Sequence, residues 1–127
     1  MNYMKNSQEL GQYFTTNYDL KNKVLEFVMN KPNVILEPSV GQGDLIEIIY
    51  NSNNNMQFDM YEIDTKIKML DNIPKNVIYG DFIKSDITKK YKTIIGNPPF
   101  IRTTTGNIYI DFIEKCFKLL ENNGELI

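Results

Sequence analysis

The stretch that most restricts what this chain can fold into is Asn33-Val34-Ile35-Leu36-Glu37, which passes through Pro38-Ser39-Val40-Gly41-Gln42-Gly43-Asp44 into an apolar segment. A short β-branched run bounded by turn residues reads as a buried strand. Leu45, Ile46, Ile48 and Ile49 then recur with helical spacing and form one inward face. Strand, glycine turn and helix in that order make the nucleotide-binding half of a doubly wound α/β fold, in which ligands sit at the carboxyl ends of the strands. The six-residue dinucleotide fingerprint is incomplete, because Ile46 stands at its third glycine. Glu37 at the strand end is also poorly placed for a pyrophosphate. Both features count against a nicotinamide-dependent oxidoreductase.

The rest of the chain repeats the alternation. Thr16 or Asn17 can cap a first helix running to about Asn30, with Leu20, Val24, Phe27 and Val28 on one face and Pro32 closing it. A polar loop over Asn51–Asn55 leads to a second strand, Gln57–Tyr61, which ends at Glu62-Ile63-Asp64. Glu62 follows Gly41 at the interval of about 20 residues from which an acid reaches a ribose hydroxyl pair. A short helix carrying Ile67 and Leu70 should follow, ended with the help of Pro74. Asn76–Tyr79 reads as a third strand, followed by Gly80-Asp81-Phe82, and Lys84–Lys92 as a polar surface segment with Lys89 and Lys90 solvated. Asn107 can cap a last helix to about Glu121, whose core face comprises Tyr109, Phe112, Ile113, Cys116, Phe117 and Leu120. Asn122-Asn123-Gly124 should end that helix, and Glu125-Leu126-Ile127 begin another strand.

The fourth strand carries the chemistry. Tyr91–Gly96 runs directly into Asn97-Pro98-Pro99-Phe100. Paired prolines remove two ladder donors and end the strand, and Pro99 holds Pro98 extended. What results is a stiff stub with one amide side chain, a fixed carbonyl and an aromatic ring. An amine conjugated to a ring or a carbonyl is a poor nucleophile. Two neutral acceptors that take its hydrogens can aim its lone pair, and the Asn97 side-chain oxygen and the Pro98 carbonyl suit that task. Phe100 offers a face for a flat base. Taken alone, Asn-Pro-Pro is also an ordinary strand stop.

These four residues, together with Glu37-Pro38-Ser39-x-Gly41-x-Gly43 and Gly11-Gln12-Tyr13-Phe14-Thr15-Thr16, closely resemble the motifs of class I amino-methyltransferases that use S-adenosylmethionine, and in particular the N6-adenine DNA methyltransferases. The resemblance extends from Gly11 to Ile127. It implies a Rossmann-like parallel sheet in the order 3-2-1-4-5, with Asn97, Pro98, Pro99 and Phe100 catalytic. Cofactor contacts would come from Tyr13 and Thr15 in a loop over the methionine end. Glu37 and Pro38 would serve near the charged sulfonium end, Gly41 and Gly43 in the turn, and Glu62 on the ribose. Ile63, Asp81 and Phe82 would meet the adenine, with Asn97 at the join. A whole domain of this family has two further strands, one antiparallel, and its DNA enzymes add a target-reading segment. The chain is therefore expected to be an N-terminal, cofactor-binding part of a longer enzyme, whose missing region or partner subunit would read the substrate.

Composition narrows the alternatives. The 127 residues suit one domain, and 42% hydrophobic content supports a core. A net charge of −2 is unlike a dedicated nucleic-acid grip, so a basic surface would belong to the absent region. With no histidine, imidazole bases and histidine-ligated metals are excluded, and no metal site is expected. The single cysteine, Cys116, lies on a helix core face, away from the loop that a cytosine-C5 nucleophile would need. One cysteine and no signal-like or membrane-length apolar run point to a cytoplasmic chain, or to one in the nucleoid or nucleus if it acts on DNA. Adenine in DNA is the preferred substrate. RNA adenine, protein glutamine and a cofactor-binding module without turnover remain open.

Overall fold

A computed structural model describes residues 16–99, 102–103 and 106–127. The first helix, α1, spans Tyr18–Phe27 and is capped by the Asn17 side chain, which accepts from Leu20 N at 2.9 Å. It is shorter than the expected span to Asn30. Val28 leaves the helical conformation, and Lys31 sits at φ 48° just before Pro32. Leu20 and Phe27 are exposed rather than inward; Val24, Leu25 and Val28 make the core contacts.

Strand β1 (Val34–Glu37), helix α2 (Asp44–Ser52), β2 (Gln57–Glu62), β3 (Val77–Tyr79) and β4 (Tyr91–Ile94) follow. A two-residue hairpin, β5 (Arg102–Thr103) and β6 (Gly106–Asn107), precedes α3 (Ile108–Lys118) and β7 (Leu120–Leu126). The main sheet has the order β3-β2-β1-β4-β7, and every pair in it is parallel. This is the expected 3-2-1-4-5, the hairpin supplying the two intervening strands. Successive residues point to opposite faces of a strand, so the core divides in two. Ile35, Met60 and Ile95 join Ile46 and Ile49 of α2 on one face, and α1 packs there as well. Leu36, Tyr61 and Ile94 join Phe112 and Cys116 of α3 on the other.

Two further expectations fail. No helix forms between Asp64 and Pro74. Instead, Leu70 N donates to Gln42 O at 2.9 Å, and Ile73 is buried against the glycine turn. A Cβ on Gly43 would stand 2.1 Å from Ile73 Cδ1, and φ is 98° there, so glycine is required twice over. At the other end, β7 begins at Leu120 rather than Glu125. Its register shifts between Tyr91↔Leu120 and Thr93↔Glu125, and Asn122-Asn123-Gly124 makes an irregular turn inside the strand. Glu125 secures that register by accepting from Thr93 Oγ1 at 2.8 Å and from Met29 N and Asn30 N at the end of α1. Among the described residues, no helix is long and apolar enough to cross a membrane.

Candidate active site

The carboxyl ends of β1, β2 and β4 meet on one edge of the sheet, and the turn after β1 is built against them. Gly41 (φ 59°) and Gly43 bend the chain, while Val40 N donates to Tyr61 O at 2.9 Å. Glu62, 5% exposed, braces this turn: Oε1 accepts from Gly41 N at 2.8 Å and Oε2 from Asp64 N at 2.9 Å. Each carboxylate oxygen has capacity for a second donor. Burial raises the Glu62 pKa, against the opposing effect of those backbone N–H groups.

Glu37 is deeper, at 2% exposure, and Oε1 accepts from Ser39 N at 2.8 Å. Burial pushes its pKa up to about 8, the Ser39 N–H opposes that, and the negative charge of Glu62 adds to it. Near neutral pH Glu37 therefore keeps its proton in the unliganded chain, and a cation placed beside it would favour the ionised form, so the two acids at adjacent strand ends suit positive charge better than phosphate.

Strand β4 lies next to β1, which brings the Asn97 stub to this edge. Gly96 makes the approach possible: a Cβ there would stand 2.8 Å from Glu37 Oε1 and 3.2 Å from Pro38 Cδ. Ser39 Oγ donates to the Asn97 carbonyl at 3.3 Å. Neither residue is assigned a role from the sequence, although Ser39 lies inside the first glycine motif and Gly96 directly precedes Asn97. Pro98 and Pro99 are half-buried in the described stub. Tyr13, Thr15 and Phe100 lie outside the described residues.

Beyond β2, Ile63 is exposed, open to a ligand. Asp81 follows β3, where its Oδ1 accepts from Ile83 N at 3.0 Å in a side-chain turn, leaving Oδ2 as a further acceptor. Phe82 is 2% exposed; its ring stacks on Phe112 at 5.3 Å and meets Tyr61 edge-on at 5.7 Å. It lies beneath this corner as support, with one face already covered. The end of α3 also departs from expectation. Phe112 and Cys116 are buried, but Ile113 and Phe117 face outward. Burial raises the Cys116 thiol pKa to about 12, which suits an inert core residue. Lys89 and Lys90 are less free than expected: Lys89 pairs with Asp59 at 3.3 Å, and Lys90 donates to the Lys118 carbonyl. No group of three or more acidic or cysteine ligands stands ready for a metal among the described residues.

The arrangement can hold a ligand that is positive at one end and carries a ribose and an amino-bearing ring at the other. The turn glycines, the paired acids and the acceptor at Asp81 fit S-adenosylmethionine; a pyrophosphate would bring its negative charge against two buried acids, whose ionised forms it would disfavour.

Residues 8–127 match a family model described as the methyltransferase small domain. The chain is similar to the type II methyltransferase M.CvrRI of Paramecium bursaria Chlorella virus XZ-6E, at 31% identity over 96% of this chain and 36% of that protein. It is 37% identical to the type II methyltransferase M.HincII of Haemophilus influenzae, over 73% of this chain and 18% of that protein. Ribosomal RNA small subunit methyltransferase A of the Aster yellows witches'-broom phytoplasma matches at 31% identity, over 78% of this chain and 41% of its own length. The chain thus spans well under half of each relative. Among solved structures, a Listeria monocytogenes protein described as a class I S-adenosylmethionine-dependent methyltransferase superposes with a TM-score of 0.63 at 13% identity, over 94% of this chain and 49% of that one.

Proposed function

Since this chain belongs to the methyltransferase small-domain family, we propose that it takes S-adenosylmethionine as its cofactor and serves methyl transfer to the exocyclic N6 of adenine in DNA. The observation that carries this reading is the contact between two motifs. Gly96 lets β4 close on Glu37 and Pro38, and Ser39 ties the Asn97 carbonyl to the glycine turn. The amine acceptors are thereby fixed beside the acidic end of the cofactor cradle.

The bound cofactor supplies an electrophilic methyl group on sulfur. Everything else falls to the chain. Glu62 favours positive charge at the strand ends, and Glu37 adds to this once a cationic ligand draws off its proton. Glu62 has acceptor capacity left for a ribose, and Asp81 Oδ2 for an adenine amino group. On the substrate side, the Asn97 side-chain oxygen and the Pro98 carbonyl accept the two hydrogens of the target amine. That holds its lone pair in one direction without any change of charge at the protein. Groups fixed in advance in this way act mainly on the transition state.

Adenine in DNA is preferred because Asn97-Pro98-Pro99-Phe100 resembles the N6-adenine DNA methyltransferase signature. RNA adenine is the second reading, supported by the similarity to a ribosomal RNA methyltransferase. The test is transfer of labelled methyl from S-adenosylmethionine to separate DNA, RNA and protein pools, with the acceptor nucleoside or side chain identified after digestion. N6-methyladenine in DNA is expected. Label confined to RNA adenine would move the proposal to the second reading, and label on protein glutamine would overturn the nucleic-acid assignment.

A further inference from the structure

Lys115 stands on α3, outside every sequence motif, yet its ammonium group is spent on the turn after β3. It donates to the carbonyls of Phe82, Ile83 (3.0 Å) and Ser85, and lies 3.2 Å from Ser85 Oγ. It also sits 5.0 Å above the Phe82 ring. An ammonium has three protons, and this turn offers four acceptors to them. Among the described residues, Lys115 makes no ion pair. The salt bridges there join Lys21 to Glu47, Lys23 to Glu26 and Lys89 to Asp59. A half-buried cation that takes carbonyls rather than a carboxylate is holding backbone, not balancing charge.

The backbone it holds carries Asp81. Within the turn, Ile83 N donates to Asp81 Oδ1, Lys84 N to Asp81 O at 3.2 Å, and Ser85 N to Phe82 O at 3.2 Å. The peptide carbonyls engaged by Lys115 therefore belong to the same few residues that orient the Asp81 carboxylate. Phe112, one helical turn before Lys115, stacks on Phe82 and fixes the turn from below. Burial lowers the Lys115 pKa, with the negative charges of Asp81 and Asp86 acting against that.

We propose that Lys115 is a positioning residue for cofactor recognition: by gathering the Phe82, Ile83 and Ser85 carbonyls it sets the Asp81–Ser85 turn so that Asp81 can read the 6-amino group of adenine. The inference rests on the reading above that Asp81 faces the adenine end of the cofactor. It adds that α3, the helix that follows the Asn97 stub and its hairpin, determines how well the chain discriminates at that end.

The probes are S-adenosylhomocysteine and its hypoxanthine counterpart, which has an oxygen in place of the 6-amino group, titrated by calorimetry. The unmodified chain should bind the adenine form more tightly. Lys115→Met should weaken the adenine form by about tenfold, the scale of one hydrogen bond to a charged group. It should leave the hypoxanthine form nearly unchanged, so discrimination collapses. Lys115→Arg, which keeps the charge, should recover part of it. Ser85→Ala removes one acceptor and should lower discrimination by a smaller factor; it decides the matter if Lys115→Met does not fold. Wild-type discrimination in both Lys115→Met and Ser85→Ala, or an equal loss on both probes, would overturn the positioning role. If the unmodified chain does not distinguish the two probes, the adenine assignment of Asp81 fails, and the clamp fails with it.

Discussion

Helix α2 buries Leu45, Ile46 and Ile49 against the sheet, whereas α3 buries Phe112 and Cys116 and leaves Ile110, Ile113 and Phe117 outward. The same contrast runs through the loops beside them. The turn entering α2 is held by Glu62, by the Tyr61 carbonyl and by Ile73 packed against Gly43. The stub leading toward α3 is held at its base, by the close approach of Gly96 to Glu37 and by Ser39 on the Asn97 carbonyl. Packing secures the turn after β1, and a few polar contacts position the Asn97 stub. The two regions should therefore respond to damage in different currencies: one in stability, the other in rate.

The largest effect is expected at Ile46, which is 0% exposed. Ile46→Ala should cost about 2–5 kcal/mol in denaturant unfolding, the usual range for truncating a buried aliphatic side chain. A loss below about 1 kcal/mol would break the contrast from the cofactor side.

Next comes Asn97. In an active form of the enzyme, Asn97→Ala should lower the methyl-transfer rate by about 10²–10³, typical for one preorganised acceptor or donor, with cofactor affinity nearly intact. Asn97→Asp still accepts and should retain more activity than Asn97→Ala. Full activity in Asn97→Ala would reduce the Asn-Pro-Pro stretch to a strand stop.

A pH dependence separates the halves more gently. Glu37 rises from 4.5 to about 8 on folding, so between those values the folded chain holds a proton that the unfolded chain has released. Its stabilising contribution is complete below about pH 4.5 and declines as pH rises through 8. Melting temperature should fall across that window and level off above it, and Glu37→Gln should flatten the slope. An unchanged slope in that variant would show that Glu37 is not the titrating group.

The smallest effect is expected at Phe117, 73% exposed. Phe117→Ser should change stability by no more than about 0.5 kcal/mol, as surface substitutions usually do. A loss comparable to that of Ile46→Ala would mean that the two helices are secured alike.

Much of this was legible in the residues, for reasons that also mark where legibility stops. The parallel sheet followed from β-branched runs alternating with helical periods, its strand order from the resemblance to the methyltransferases, and the Asn17 and Asn107 caps from amides standing just before those periods. Glu37, Glu62 and the glycine turn could be read because strand, turn and helix fix their relative positions almost locally. The segment from Asp64 to Pro74 could not. Ile67 and Leu70 have helical spacing, but the Leu70 N–H is taken by Gln42 O and Ile73 by the gap above Gly43, both distant in sequence. Periodicity also overstated the α3 face. Apolar residues cover more of that helix than the sheet can bury, and nothing local says that Phe112 turns inward while Phe117 does not. Lys115 gave no signal at all, since its partners are carbonyls some 30 positions earlier.

The central claim, that the turn after β1 and the acids around it form a cradle for S-adenosylmethionine, is tested most directly by calorimetric titration of the unmodified chain with S-adenosylmethionine and, separately, with NAD. The account predicts saturable binding of S-adenosylmethionine and much weaker binding of NAD, whose pyrophosphate would confront Glu37 and Glu62. It also predicts that Glu62→Ala weakens S-adenosylmethionine binding by about 1–3 kcal/mol, the scale of a lost hydrogen bond to a charged group. NAD binding more tightly than S-adenosylmethionine, or an affinity for S-adenosylmethionine unchanged in Glu62→Ala, would contradict it.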